Sequence, residues 1–352
     1  MAIPELQSNP LFPETTIFIG NGFDLSLGLK SRYIDFFNHK DENGKKDFWP
    51  EHDSISDNEH LYKTLNGLRP VFSRDIRLDN NPTWFDLEAK LKEHAKRPSP
   101  QGIKFVSEYN ASFMPDQRYF NEIREGLKEY LKYEVEQWGE YRHCSARNSQ
   151  AYQLMYEVCV RASIDPNIIT FNYTSIERLL EKCEGSWSRK ILINPNKVQY
   201  VHGSLLDDHI ILGINEDKDV PKEYDFLFKS WDEYYNSHQV LDTLRNSHII
   251  FFFGLSFGSI DSVYFIDFFK AIIKGAYDKQ KKHIVICTYN ESSMREIYRQ
   301  FFQMGISIME LKAHCDFNML LTNPENSYHN LKFGSNKIGF WLKEWNNMYV
   351  DV

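Results

Sequence analysis

Cysteine is scarce and unpatterned in this chain of 352 residues: five thiols, at Cys144, Cys159, Cys183, Cys287 and Cys315, with no CxxC pair among them. Without clustered thiols a structural zinc module is not expected. An odd, scattered set reads as reduced cysteines of a cytoplasmic protein. Long apolar runs are also missing, since no stretch approaches the roughly 20 residues of a membrane span. The opening "MAIPELQSNPLFPE" has neither the basic start nor the apolar centre of a secretory leader, so none is expected. Positive charge is in deficit, 41 Lys and Arg against 49 Asp and Glu, for a net charge of -8. That argues against a broad nucleic-acid surface and leaves room only for a local basic groove. The basic pairs in "KQKK" and "NGKK" read as solvated surface.

What is abundant is apolar and aromatic, 42% and 15% of the residues, enough for a sizeable core in one large domain or two ordinary ones. Six short runs read as strands: "TTIFIG", "NIITFNY", "KVQYVHG", "HIILGIN", "HIIFFFGLSF" and "KHIVICTY". Several are continuous rather than alternating, as in strands covered by helices on both faces. Helical segments lie between some of them, one being "SSMREIYRQFFQMG" before an expected last strand "ISIMEL". The pattern predicts an α/β, Rossmann-like fold with a mainly parallel sheet and helices on both faces.

More than a hundred residues separate the first two strands, too many for one crossover. They hold "TWFDLEAKLKEHAKR", "RYFNEIREGLKEYLKYEVEQWGEY" and "SQAYQLMYEVCVR", each with helical spacing of apolar residues. In the second, Phe120, Ile123, Leu127, Tyr130, Leu131 and Trp138 share a face. The chain therefore divides into residues 1–40 (first strand and glycine turn), 41–160 (a helical insertion), 161–325 (the rest of the core) and 326–352. The polar "NHKDENGKKDFWPEHDSISDNEH" is expected as a loop entering the insertion. The aromatic tail "GFWLKEWNNMYV" is expected to dock on the core or on a partner.

The first strand ends in Gly20-Asn21-Gly22, with Gly28 six residues on and a helix expected from Leu25. Glycines at such a turn let a pyrophosphate approach the backbone. The spacing GxGxxxxxG nevertheless departs from the dinucleotide fingerprint GxGxxG, and a bare glycine turn at a strand end is common. Asp24 fits a helix cap as well as a contact to a ribose hydroxyl. Ser256 and Asp261, beyond "IIFFFG", fall at a strand's C-terminal end, where open α/β sheets bind ligands.

"GNGFDLSLGLKSRYIDFF", followed in order by "WFDLEAKL", "ITFNYTSIERLL", "YVHGSL", "IILGIN" and "GLSFGSID", resembles the bacteriophage abortive infection AbiH family over nearly the whole chain. The same blocks are more distantly similar to the NAD-binding core of the sirtuins. Gly20, Asn21, Gly22 and Gly28 match the sirtuin glycine spacing, and Thr170-Phe171-Asn172 stands where sirtuins carry Thr-Gln-Asn. His202-Gly203 matches their catalytic His-Gly, and Gly254-Leu255-Ser256 resembles their Gly-Thr-Ser beside the cofactor phosphates. Between Gly203 and "IILGIN" only Ser204 to His209 intervene, so the sirtuin zinc module has no room. Thr174 replaces an Asp and Asp24 a Ser of the sirtuin pattern.

These resemblances imply an anti-phage protein that binds NAD and hydrolyses it to nicotinamide and ADP-ribose without a metal. His202 would be the base and Asn172 would orient water or ribose. Gly20, Asn21, Gly22, Asp24, Gly28, Gly254, Ser256, Asp261 and Asn290 would line the cofactor site, Asn290 at its adenosine end. Histidine suits general base work because its pKa lies near neutrality. His202 also fits a residue that only bonds a turn, and Asn172 one that only closes a strand. A defence enzyme of this kind implies restraint by self-association or by a partner protein. A module that senses NAD or an ADP-ribose derivative without cleaving it, or a defence protein acting on nucleic acid, remains an alternative.

Overall fold

The computed structural model describes residues 14–40, 44, 48–50, 87–96, 106–141, 146–184, 190–258 and 260–323. Its centre is a sheet of six strands, β1 (Thr15–Ile19), β2 (Asn167–Thr170), β3 (Val198–Tyr200), β6 (Ile249–Phe253), β7 (His283–Thr288) and β8 (Asp316–Leu321). They lie in the order β3-β2-β1-β6-β7-β8, every neighbouring pair parallel. Two further short strands, β4 (Gly203–Ser204) and β5 (His209–Ile210), form a separate antiparallel hairpin.

The continuous apolar runs have the physical cause their sequence suggests. Alternate residues of each strand enter different cores. Ile17, Ile19, Phe251 and Phe253 face one cluster, and Phe18, Phe252, Ile284 and Ile286 face the other. The first cluster is covered by α1 (Asn21–Leu27), α5 (Gln150–Met155, which continues as a π-helical turn) and α6 (Ile176–Glu184). The second lies under α7 (His238–Asn246), α8 (Ile266–Ile273), α9 (Glu291–Gln303) and α10 (Ile308–His314). Helices thus cover both faces of the sheet, and among the described residues no helix is long and apolar enough to cross a membrane.

Between β1 and β2 lie α2 (Tyr33–Asn38), α3 (Leu87–Ala95) and the 36-residue α4 (Val106–Tyr141). The shared face of α4 is buried as its spacing predicts, from Phe120 to Trp138. This helix grips the segment after the glycine turn. The Trp138 indole N–H donates to the Leu27 carbonyl at 2.9 Å, the Tyr130 hydroxyl to the Lys30 carbonyl at 2.6 Å, and Glu134 accepts the Lys30 amide at 3.0 Å.

Two expected strands are corrected. "ISIMEL" is not the last strand but the start of α10. Ser307 caps it by accepting the Glu310 amide, a Ser-x-x-Glu start signal that outweighs the short apolar run. The last strand among the described residues is "DFNMLL", β8. "HIILGIN" contributes only His209–Ile210, to the hairpin rather than to the main sheet. Most of the polar segment at 38–60 and the whole aromatic tail lie outside the described residues.

Candidate functional site

The strand order reverses between β1 and β6, because the chain proceeds from β1 outward to β2 and β3 and then returns to β6 on β1's other side. In open parallel sheets the crevice beyond the C-terminal strand ends at such a switch point is where ligands bind. The residues at these ends are Gly20 on β1, Asn172 after β2, His202 after β3 and Gly254 after β6. Four sequence-nominated residues therefore come to one edge of the sheet.

The glycine turn is tighter than the motif implies. Gly20 is the extended N-cap of α1, so the helix opens at Asn21 and not at Leu25. The Gly20 amide donates to the Phe253 carbonyl at 2.9 Å and the Gly22 amide to the Gly254 carbonyl at 3.0 Å. A Cβ on Gly22 would lie 2.5 Å from the Gly254 Cα, closer than packed atoms approach, and Gly254 itself has φ of 64°. The missing side chains at Gly22 and Gly254 let two backbones cross. Gly28 has a different task. At φ 93° it ends α1, its amide bonding to the Leu25 carbonyl and that of Leu29 to the Asp24 carbonyl, a Schellman closure.

Asp24 is no cap. It lies inside α1 with its carboxylate buried against the end of β2, where the Asn172 amide donates at 2.8 Å and the Thr174 hydroxyl at 2.6 Å. Burial pushes the Asp24 carboxyl up to about 6, against the two hydrogen bonds, which act in the opposite sense. The Asn172 nitrogen also donates to the Gly20 carbonyl at 3.1 Å. Both its N–H groups are then used, and the side-chain oxygen is the atom left to meet an incoming O–H or N–H donor. Asn21 is held separately, accepting from the Ser31 hydroxyl.

His202 follows β3 and is 5% exposed. Its Nε2 lies 3.2 Å from the Tyr264 hydroxyl, and that hydroxyl lies 2.7 Å from the Tyr235 hydroxyl. The Phe171 ring meets the imidazole edge to face at 5.5 Å. Burial, and then the charge of Lys229, hold the His202 pKa well below the ordinary histidine value, so the ring is neutral. Lys229 is itself buried in an ion pair with Glu88 of α3, at 2.8 Å. Glu88 comes from the insertion, so the helical segment reaches the ground beside His202.

Ser256 is exposed and its hydroxyl donates to Asp261 at 3.4 Å, on the loop after β6. Among the described residues the Leu255 and Ser256 amides carry no hydrogen bond. Asn290 caps α9, accepting the Ser293 amide at 2.9 Å. Sequence reasoning did not single out Tyr264, Tyr235, Glu88 or Lys229. The only local signal was the position of Glu88 within "WFDLEAKL", one of the blocks of the resemblance.

The fold and this edge define an α/β protein of the Rossmann-like class, with polar side chains gathered at its switch point. The family model "Bacteriophage abortive infection AbiH" matches residues 16–286, and the chain belongs to that family, whose proteins act in defence against phage. No curated protein matches the chain.

Proposed function

We propose that this AbiH protein binds NAD at the C-terminal edge of β1, β2, β3 and β6 and hydrolyses it to nicotinamide and ADP-ribose, in a sirtuin-like, zinc-independent manner. NAD depletion in the cytoplasm would then disable the infected cell and halt phage growth. The observation that carries the reading is the meeting of His202, Asn172 and the glycine turn at the switch point of a parallel sheet. Cleavage of the glycosidic bond passes through an oxocarbenium-like state and needs a base to activate the attacking oxygen. His202 is neutral, the form a general base needs, while burial and Lys229 oppose the charge it would gain. The Asn172 side-chain oxygen is an acceptor for a water or ribose O–H.

With the Gly20 and Gly22 amides already bonded, the phosphates fall to the Leu255 and Ser256 amides. Asp261 is a candidate for a ribose hydroxyl, and Asn21, Asp24, Gly28 and Asn290 shape the surroundings. Restraint before infection would come from self-association or from a partner protein. The test is incubation of the purified chain with NAD and chromatography for nicotinamide and ADP-ribose. The burial of His202 favours a second reading, a sensor that holds NAD or an ADP-ribose derivative intact. Saturable NAD binding with no nicotinamide formed would select it.

A further inference from the structure

NAD hydrolysis releases one proton per turnover, because water supplies a hydroxyl to the ribose and nicotinamide departs without taking the proton. A base buried beside Lys229 is a poor place to leave that proton, since burial and a neighbouring ammonium both oppose an imidazolium. The hydrogen bonds around His202 supply an exit. Its Nε2 meets the Tyr264 hydroxyl at 3.2 Å, which meets the Tyr235 hydroxyl at 2.7 Å. Tyr264 is buried, whereas Tyr235 is only partly so. Among the described residues Nδ1 of His202 has no hydrogen-bond partner, which leaves that nitrogen for the reacting oxygen.

We propose that Tyr264 and Tyr235 form a proton relay that carries the proton gained by His202 out to solvent; the role rests on the reading of His202 as the base. The attacking O–H gives its proton to Nδ1. The Nε2 proton moves to the Tyr264 oxygen, the Tyr264 proton to the Tyr235 oxygen, and the Tyr235 proton to a solvent water. Each bond to hydrogen that breaks is matched by one that forms, and the imidazole ends neutral with its proton on Nδ1. Once the products leave, Nδ1 gives that proton to water in the open site and Nε2 regains one from solvent along the same two hydroxyls, which restores the resting ring. The relay spares the ring a positive charge while the bond to oxygen forms. The charged and titratable groups bearing on this path are Lys229 on His202, and Tyr235, Asp261 and Glu88 on Tyr264. The negative pair Asp261 and Glu88 favours a passing positive charge at Tyr264, and Lys229 opposes one at His202. Tyr264 and Tyr235 act through His202 and need not touch NAD.

Two measurements decide the matter. The first needs no NAD: imidazole nitrogen NMR of the full chain carrying labelled histidine, with the His202 signals identified by their loss in His202→Ala. The relay requires the neutral ring to carry its proton on Nε2 and donate to Tyr264, and Tyr264→Phe to shift the tautomer balance. A proton resting on Nδ1 in the wild-type protein overturns it. The second is nicotinamide release by Tyr235→Phe, whose lost hydroxyl lies one residue removed from the imidazole. The expected loss is about 10- to 100-fold, partly restored by a small diffusible base such as imidazole. Wild-type release by Tyr235→Phe, or a loss confined to Tyr264→Phe, overturns the relay and leaves Tyr264 as a ring-positioning contact. If His202→Ala releases nicotinamide at the wild-type rate, the base assignment fails by itself, and the tautomer measurement still judges the hydrogen-bonded chain.

Discussion

The β1–β6 end of the site and the β3 end are built in opposite ways. At the first, backbone meets backbone: Gly22 and Gly254 cross within contact distance, and the turn's amides bond to the Phe253 and Gly254 carbonyls at the end of β6. At the second, side chains meet: His202, Tyr264 and Tyr235 share hydrogen bonds, with Lys229 and Glu88 buried nearby. Between them Asp24, Asn172 and Thr174 tie α1 to β2. The difference teaches that a glycine motif marks where the chain must be thin, while the titratable side chains of the proposed chemistry gather two strands away.

The sharpest way to break the β3 end is to uncouple its ion pair. Lys229→Met takes the buried Lys229 cation from the Glu88 carboxylate, and breaking such a buried pair costs about 3–5 kcal/mol. Urea unfolding should show that loss, and the double variant Lys229→Met with Glu88→Leu should recover much of it. A single variant as stable as the parent would mean that the pair holds nothing together.

Asp24 tests the middle of the edge through pH. Its folded pKa, raised to about 6, exceeds the ordinary 3.8, so the folded state binds the extra proton between those values. The stability it supports is complete below pH 3.8 and is lost as pH rises through about 6, a swing of about 3 kcal/mol. Asp24→Asn, placed to accept from Asn172 and donate to Thr174, should flatten the profile in that window. An unchanged profile would show that Asp24 does not titrate there.

A smaller loss is expected at the backbone crossing. Gly22→Ala puts a Cβ 2.5 Å from the Gly254 Cα and should cost about 1–3 kcal/mol in the same unfolding measurement. Retained stability would mean that the two backbones part at little cost. The smallest effect is none at all: nicotinamide release should survive exhaustive chelation and should not depend on an acylated peptide. Loss in EDTA, restored only by zinc, would contradict the zinc-independent reading.

Much of the fold was legible because β1 and β6 are buried on both faces, so their residues are apolar without a break. "ISIMEL" was not, because four apolar residues in six satisfy strand and helix spacing alike. Strand β8 hid for the opposite reason: Asp316 and Asn318 interrupt its apolar pattern at the sheet's edge. At the site, Asn172, His202 and Gly254 follow their strands and could be nominated from short motifs. The Lys229–Glu88 pair joins residues 141 positions apart and the His202–Tyr264 contact spans 62, so no local pattern announces either. Asp24 was read as a helix cap or a ribose contact, and its place inside α1 was hidden because its partners, Asn172 and Thr174, follow another strand.

The account's central claim is that His202 is the base of an NAD hydrolase, and one comparison tests it most directly. Wild-type protein and His202→Ala are incubated with NAD, and nicotinamide and bound NAD are both measured. The account predicts equimolar nicotinamide and ADP-ribose from the wild type. His202→Ala should release them about 10²- to 10⁴-fold more slowly while still binding NAD. NAD left intact by the wild-type protein, or equal release from both, would contradict it.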